Sequence, residues 1–225
     1  MCGRFAIATG KKEMLTYLQE YFNIDDIAVD FTLPRYNIAP GEMIPGLVAD
    51  TNCYRLRLFK WGFVPWFAKP GETKYNMINA KAETVNEKTS FKEAFRIRRC
   101  LLPATGFFEW QKREKQKAPY YITVANQPVF ALAALFNNHP RENGGEYLTC
   151  AVITTAASRP MQPLHHRMPV ILTATAGKLW LNPHNNPGAL QKLLEPYHNI
   201  NAVPVGKIVN KPENDIPDCI KAIEI

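Results

Sequence analysis

The chain has 225 residues, of which 46% are hydrophobic, and this length and composition suit one compact domain or two small ones. No apolar run reaches the ~20 residues that a membrane-spanning helix needs, and the N-terminus lacks a secretory signal pattern, so we expect an intracellular, cytoplasmic protein without a membrane partner. The net charge of +7 and the pI near 9.1 favour a polyanionic partner such as nucleic acid.

In chain order, the first predicted element is a helix over residues 11–23, where apolar side chains recur at helical spacing. The stretch "CYRLRLFKWGFVPWFAKP" alternates basic and aromatic residues, a pattern typical both of a solvated strand and of a groove that stacks bases. Further short helices are predicted at "FKEAFRIRR" and "PGALQKLLEPY".

Most other segments are predicted to be strands. The stretch "APYYITVANQPVFALAALF" contains two β-rich runs around an Ala-Asn-Gln turn, and "YLTCAVITTA", "MPVILTA" and "NAVPVGKIV" are short and β-branched. No repeat or linker divides the chain. Together, the predicted strands and helices indicate an α+β fold in one domain, with a largely antiparallel β-sheet or barrel core and peripheral helices.

The five cysteines show no metal-binding pattern. Cys53, Cys100, Cys150 and Cys219 lack CxxC spacing and lie mostly in apolar runs, so we expect buried, reduced thiols. The histidines and cysteines are nowhere paired at ligand spacing, and we therefore predict neither a metal nor another cofactor.

Cys2 stands apart because removal of Met1 would give it a free α-amine beside its thiol. The α-amine has a reference pKa of ~7.7–8.0, so near neutral pH much of it is an uncharged nucleophile that can attack an aldehyde. The thiol can then close a five-membered thiazolidine ring on the imine carbon. Cys2 is therefore either an aldehyde trap or simply a small residue that follows Met1.

Three polar residues in apolar surroundings are candidate partners. Glu109 in "TGFFEWQK" is either a buried proton shuttle or an exposed residue at a strand end, with Phe107 on its own strand face. His165 in "PLHHRMPVIL" could act as acid or base, or be structural. Asn79 in "MINAKAETV" could orient an amine or cap a turn.

A series of phrases then runs in the order found in one known family, from residue 1 to about residue 172. They are "MCGRF", "RYNIAPGE", "WGFVPWFAKP", "INAKAETV", "FKEAFRIRRCLLPATGFFEW", "FALAALF", "VITTAAS" and "HHRMPVIL". This ordered set resembles the SRAP family, the SOS-response-associated peptidase domain. The resemblance implies a single SRAP domain over residues 1–225 that binds an abasic site in single-stranded DNA and crosslinks to it through the N-terminal cysteine, protecting the lesion during the DNA damage response.

Carried over position by position, the resemblance implies a catalytic set and a set of DNA contacts. The catalytic set is Cys2, Asn79, Glu109 and His165, and the DNA contacts are Arg4, Arg35, Asn37, Trp66, Phe67, Lys81 and Thr154. Three positions depart from the family pattern, with Lys81 where Arg is frequent, His166 where Asp usually follows the histidine, and Phe67 where Trp is common. His166 removes a negative neighbour that would orient His165.

Two other functions stay open. An N-terminal-cysteine peptidase or amidase could use the same residues and cleave autocatalytically ahead of Cys2, and the imine of the crosslinking route would also permit lyase chemistry. Alternatively, the basic and aromatic residues could form a single-stranded DNA-binding module without chemistry. In each case we expect a monomer.

Overall fold

The computed structural model describes residues 2–26, 29–50, 53–69, 75–113, 116–140 and 145–224, and in these ranges two β-sheets are joined by short helices. The strands are β1 (Phe5–Ile7), β2 (Ile24–Asp26), β3 (Arg35–Ile38), β4 (Met43–Asp50), β5 (Cys53–Trp61), β6 (Asn79–Lys81), β7 (Arg99–Ala104), β8 (Gly106–Arg113), β9 (Gln116–Val124), β10 (Phe130–Pro140), β11 (Glu146–Ala156), β12 (Arg167–Pro169), β13 (Ile171–Leu172) and β14 (Ile200–Pro204). The α-helices are α1 (Lys11–Phe22), α2 (Lys92–Ile97), α3 (Ala174–Leu181) and α4 (Pro187–Gln191), and 3₁₀ turns lie at Ala82–Thr84, Lys207–Asn210 and Pro217–Ile220.

The larger sheet closes on itself. Its main path runs β12-β11-β10-β7-β4-β5-β2, and a parallel pairing of β11 with β5 joins two strands of that path into a ring. The other ring contacts, from β11 through β10, β7 and β4 to β5, are antiparallel. The predicted α+β fold with a largely antiparallel barrel is therefore confirmed.

The smaller sheet has the order β14-β9-β8-β1-β3 and is antiparallel throughout. Along β8 the side chains alternate between two strand faces, as predicted from the sequence, and the structure shows that each face packs into its own core. Phe107 packs into the main core, whereas Phe108 joins a second cluster that includes Val209 and Cys219, with Trp110 packed against it. The C-terminal segment therefore covers the second face of this sheet.

The helix near the N-terminus agrees with the prediction from the sequence, whereas the helices near the C-terminus differ from it. Helix α1 matches the prediction to within one residue, and its C-cap Asn23 takes up the left-handed conformation with a φ of 48°. The predicted strand "MPVILTA" is wrong at its end, because Thr173 caps α3 by accepting a hydrogen bond from the Ala176 N–H. The predicted helix "PGALQKLLEPY" is shorter than expected, since α4 ends at Gln191.

All five cysteines carry free thiols, and four of them are buried, while Cys53 is partly exposed. Across the described ranges, no helix combines the length and the apolar character needed to cross a lipid bilayer.

Candidate active site

Cys2 lies just ahead of β1, an interior strand of the smaller sheet, and its side chain has no exposed surface. The pairing of β1 with β8 continues beyond β1, because the Phe108 N–H donates to the Arg4 carbonyl at 2.9 Å. The same register, with Phe5 opposite Phe107, places Glu109 opposite Gly3 and therefore next to Cys2. Met1, whose removal the sequence interpretation requires, lies outside the described residues.

Glu109 is buried, with 3% of its surface exposed, so it is not the exposed strand-end residue that the sequence left open. Burial raises the pKa of its carboxyl group, because the charged form loses solvation. Burial also raises the pKa of the Cys2 thiol to about 12, and the negative charge of Glu109 acts in the same direction. The two side chains thus share one water-poor environment, in which the thiol stays protonated near neutral pH.

Asn79 approaches Cys2 from the larger sheet. It begins β6, which pairs in parallel with β11, and its Nδ2 donates to the Cys2 carbonyl at 2.9 Å. That contact fixes the orientation of the amide. The Asn79 Oδ1 is buried and accepts no hydrogen bond from any described residue, so an acceptor stands next to the Cys2 backbone.

His165 lies in the loop between β11 and β12, and this loop docks on β8 where Gln111 Nε2 donates to the Pro163 carbonyl at 3.0 Å. The Arg167 N–H donates to His165 Nδ1 at 2.9 Å, and the ring stacks on His166 with 4.3 Å between centroids. Burial lowers the pKa of His165, and the nearby charge of Lys112 acts in the same direction. The ring is therefore predominantly neutral near pH 7.

Sequence reasoning missed an ion pair beside this loop. Both guanidinium Nη atoms of Arg167 contact the carboxylate of Glu83, and Nη2 also donates to the Thr154 carbonyl. The contact with Arg167 lowers the pKa of the Glu83 carboxyl group, chiefly through the hydrogen bond that Arg167 donates. The only sequence signal was an arginine directly after the two histidines of "HHRMPVIL".

Arg4 and Asn37, both predicted DNA contacts, face the C-terminal segment. Arg4 Nη1 donates to Asn37 Oδ1 at 2.6 Å and to the Val209 carbonyl at 2.8 Å. Asn37 is fully buried, and its Nδ2 lies within hydrogen-bond distance of the carbonyls of Val209, Lys211 and Asn214. Contact of DNA with these two residues stays a prediction, and for Asn37 it would require the segment around Val209 to move.

Arg35 and Thr154 are also engaged within the protein. Arg35 pairs with both Glu42 and Asp215, and Asp215 in turn accepts from the Asn37 N–H at 2.9 Å. Thr154 is fully buried, and its Oγ1 lies 3.5 Å from the Ala80 carbonyl. Their roles in DNA binding likewise stay predictions.

The remaining predicted DNA contacts are exposed. Trp66 and Phe67 have 58% and 39% of their surface exposed, and their rings meet edge to face. Phe67 also contacts Tyr75, four residues ahead of Asn79, which links these aromatic rings to the strand that reaches Cys2. Lys81, at the end of that strand, is exposed. The described residues include no group of three or more His, Cys, Asp or Glu placed to hold a metal ion.

Comparison with known families finds similar proteins that match most of this chain. The sequence profile described as "SOS response associated peptidase (SRAP)" matches residues 1–212. The chain is 38% identical over 227 residues to the abasic site processing protein YoqW of Bacillus subtilis, covering 99% of this chain and all of that one. It is 33% identical to the abasic site processing protein HMCES of Xenopus tropicalis, covering 99% of this chain and 78% of the relative.

Two further relatives extend the comparison. The abasic site processing protein YedK of Escherichia coli is 32% identical over 183 residues, covering 80% of this chain and 79% of YedK. A crystal structure of a protein from Bacteroides thetaiotaomicron superposes with a TM-score of 0.84 at 27% identity, covering 99% of this chain and 100% of that one.

Proposed function

This chain belongs to the SRAP family, and from that membership we propose that it recognises an abasic site in single-stranded DNA and bonds to it covalently through Cys2 once Met1 is removed. The observation that carries the proposal is the convergence of Asn79 and Glu109, from two different sheets, on the buried Cys2. A nucleophile, an amide and a proton carrier are the groups that aldehyde capture requires.

The two nucleophilic atoms of Cys2 act in a fixed order. An α-amine is largely uncharged near its reference pKa of ~7.7–8.0, whereas the raised pKa of the buried thiol, about 12, keeps the sulfur protonated. We therefore assign the first attack to the amine and ring closure to the thiol. The buried Oδ1 of Asn79 is placed to accept a hydrogen bond from that amine and so to orient its lone pair.

Glu109 carries the proton in both later steps. Amine attack on C1′ of the open sugar gives a carbinolamine, and protonated Glu109 donates its proton to the departing hydroxyl, which leaves as water from the resulting protonated imine. The thiol then adds to the same carbon, its proton passes to the Glu109 carboxylate, and the thiazolidine closes. The raised pKa of Glu109 suits this cycle because the acid form persists to higher pH.

DNA binding is assigned to the exposed residues. Trp66 and Phe67 offer aromatic faces on which unpaired bases beside the lesion stack, and Lys81 offers a charge to a phosphate. Open imines also permit strand cleavage by β-elimination, so closure of the thiazolidine protects the strand by removing the imine.

The peptidase alternative receives less support from this site. A cysteine peptidase attacks with a thiolate, and the Cys2 thiol has a pKa raised to about 12 by burial and by the Glu109 charge.

The test is incubation with a single strand that carries one abasic site, followed by a denaturing gel. A heat-stable shifted band is expected, and it should be absent with a strand carrying the tetrahydrofuran analogue, which has no aldehyde. Binding of the abasic strand without any covalent band would instead support the DNA-binding module without chemistry, and turnover of a peptide would support the peptidase.

A further inference from the structure

The ion pair between Glu83 and Arg167 joins the two chain segments that bring Asn79 and His165 to the site. Glu83 lies just after β6, and Arg167 begins β12, directly after the His165 loop. The contact is bidentate, with Oε2 and Nη2 2.9 Å apart. Only 11% of the Arg167 side chain is exposed, compared with 50% for Glu83, so the arginine is held from one side by an acidic residue at the surface.

Arg167 in turn determines how the His165 ring is presented. Nδ1 of His165 lies 2.9 Å from the Arg167 backbone nitrogen and 3.2 Å from the Arg167 carbonyl oxygen. A backbone N–H can only donate, so the shorter of these two contacts assigns Nδ1 as an acceptor. In a neutral imidazole the proton then resides on Nε2. The Arg167 side chain is fixed a second time, through Nη2 and the Thr154 carbonyl. The Arg167 backbone pairs with Ala156 of β11, so the backbone and the side chain are both anchored.

We propose that Glu83 is a positioning residue for opening of the abasic sugar, since its ion pair with Arg167 holds His165 with Nδ1 as acceptor and Nε2–H as donor. The inference rests on the proposed function, which supplies the sugar as substrate. His166 stacks on His165 and carries no carboxylate, so the backbone of Arg167 provides the orientation that a neighbouring acidic side chain could give.

The chemical role of that Nε2–H is to polarise the ring oxygen. As the C1′–O4′ bond of the cyclic hemiacetal breaks, the hydrogen bond from His165 stabilises the negative charge that develops on O4′. The proton of the C1′ hydroxyl passes to O4′ through solvent water, so an aldehyde and a hydroxyl form without net gain or loss of protons. A ring turned away from O4′ would slow this step and leave the later attack by Cys2 unaffected.

The test compares two substrates at saturating protein in single-turnover experiments. One is a single strand with a natural abasic site, and the other carries an acyclic linker that ends in a free aldehyde and needs no ring opening. Glu83→Gln removes the charge of the pair at nearly constant size. Glu93→Gln is the matched control, because Glu93 forms a comparable exposed pair with Arg98, at 2.7 Å.

We expect Glu83→Gln to slow crosslinking to the natural abasic site by about 10- to 100-fold and to leave crosslinking to the acyclic aldehyde within about twofold of wild type. Glu93→Gln should change neither rate, and Glu83→Asp, which keeps the charge, should recover part of the loss. Equal slowing on both substrates, or none on the natural one, would overturn the proposal. If the wild-type protein crosslinks to neither substrate, the proposed function fails instead.

Discussion

The site combines two regions that differ in their exposure to water. We call Cys2, Asn79 and Glu109 the floor, and Trp66, Phe67, Lys81 and His166 the rim. Cys2 and Glu109 are almost completely buried, and burial raises the pKa of both, while every rim residue is exposed. This difference agrees with the proposed function, in which the floor would perform the bond-making steps and the rim would contact DNA.

Burial also separates two classes within the predicted DNA contacts. Arg4 and Asn37 are buried polar residues whose hydrogen bonds run to each other and to the Val209 carbonyl. Trp66 and Lys81 keep their surfaces available to a ligand. Substitutions should therefore fall into three groups, which change the chemistry, the stability of the fold, or the affinity for DNA.

The largest effect is expected from Cys2→Ser in the floor. The variant keeps the α-amine but has a much poorer nucleophile for ring closure, so the heat-stable adduct should disappear while an imine remains trappable by borohydride. Denaturing gels with and without borohydride measure both species. In the matched variant, one alanine is inserted between Met1 and Cys2, which keeps the thiol and moves the free amine to another residue. A heat-stable adduct with that variant would show that the amine of Cys2 is not required.

Glu109→Gln should slow crosslinking by about 10²- to 10⁴-fold at saturating protein, because an amide cannot exchange protons, and should leave the affinity for abasic DNA unchanged. Rapid-quench kinetics and a binding titration measure these separately. An unchanged rate would remove Glu109 from the mechanism.

The same variant should also change how stability depends on pH. Because the pKa of Glu109 is higher in the folded than in the unfolded chain, its contribution to stability is present at low pH and is lost as pH rises through the folded value. Glu109→Gln removes that loss. The Tm difference between variant and wild type should therefore grow in favour of the variant as the pH rises above about 4, the ordinary range of a Glu carboxyl group, and level off above the raised pKa of the folded protein.

Asn37→Ala tests whether a predicted DNA contact acts within the protein instead. The substitution leaves Arg4 and the carbonyls of the Val209 segment without their partner, so the free energy of unfolding should fall by about 3 kcal/mol. Denaturant titration measures this loss, and Asn201→Ala, at an exposed position of β14, is the control. A variant of unchanged stability that binds DNA weakly would restore Asn37 to the DNA contacts.

The smallest effect is expected at the rim. Trp66→Ala should weaken binding of single strands by about 5- to 150-fold, since stacking of one base on an aromatic ring contributes ~1–3 kcal/mol. At saturating protein the crosslinking rate should stay the same. Ile97→Ala, which removes a hydrophobic side chain that is 63% exposed on α2, should change neither quantity. A lower rate at saturation would mean that the rim takes part in the chemistry.

The sequence allowed strands β9, β10 and β11 and the first helix to be predicted because their patterns are local. Helix α3 escaped prediction because Gly177 weakens its helical signal. A Cβ on Gly177 would lie 2.9 Å from a Leu101 methyl carbon and 3.1 Å from the Phe22 ring, so close packing, which the sequence does not display, explains the glycine.

In the candidate site, too, some features follow from local sequence patterns and others depend on contacts between distant parts of the chain. Alternation along β8 placed Glu109 on a strand face, but whether that face is buried depends on the N-terminal residues that pair with it from far away in the chain. The contact of Arg4 with Val209 spans 205 positions, and no local pattern signals it. Family resemblance named the catalytic candidates, whereas the Glu83–Arg167 pair required coordinates.

The central claim is that the adduct forms on the amine and sulfur of Cys2. Trypsin digestion of the protein after reaction with an abasic strand, followed by mass spectrometry, tests it directly. The abasic sugar should be found on the peptide Cys2–Gly3–Arg4, which lacks Met1, without any borohydride treatment. The mass of this adduct should equal the mass of the peptide plus the mass of the abasic strand, less one water. Attachment to a lysine-containing peptide, or to a peptide that still carries Met1, would contradict it.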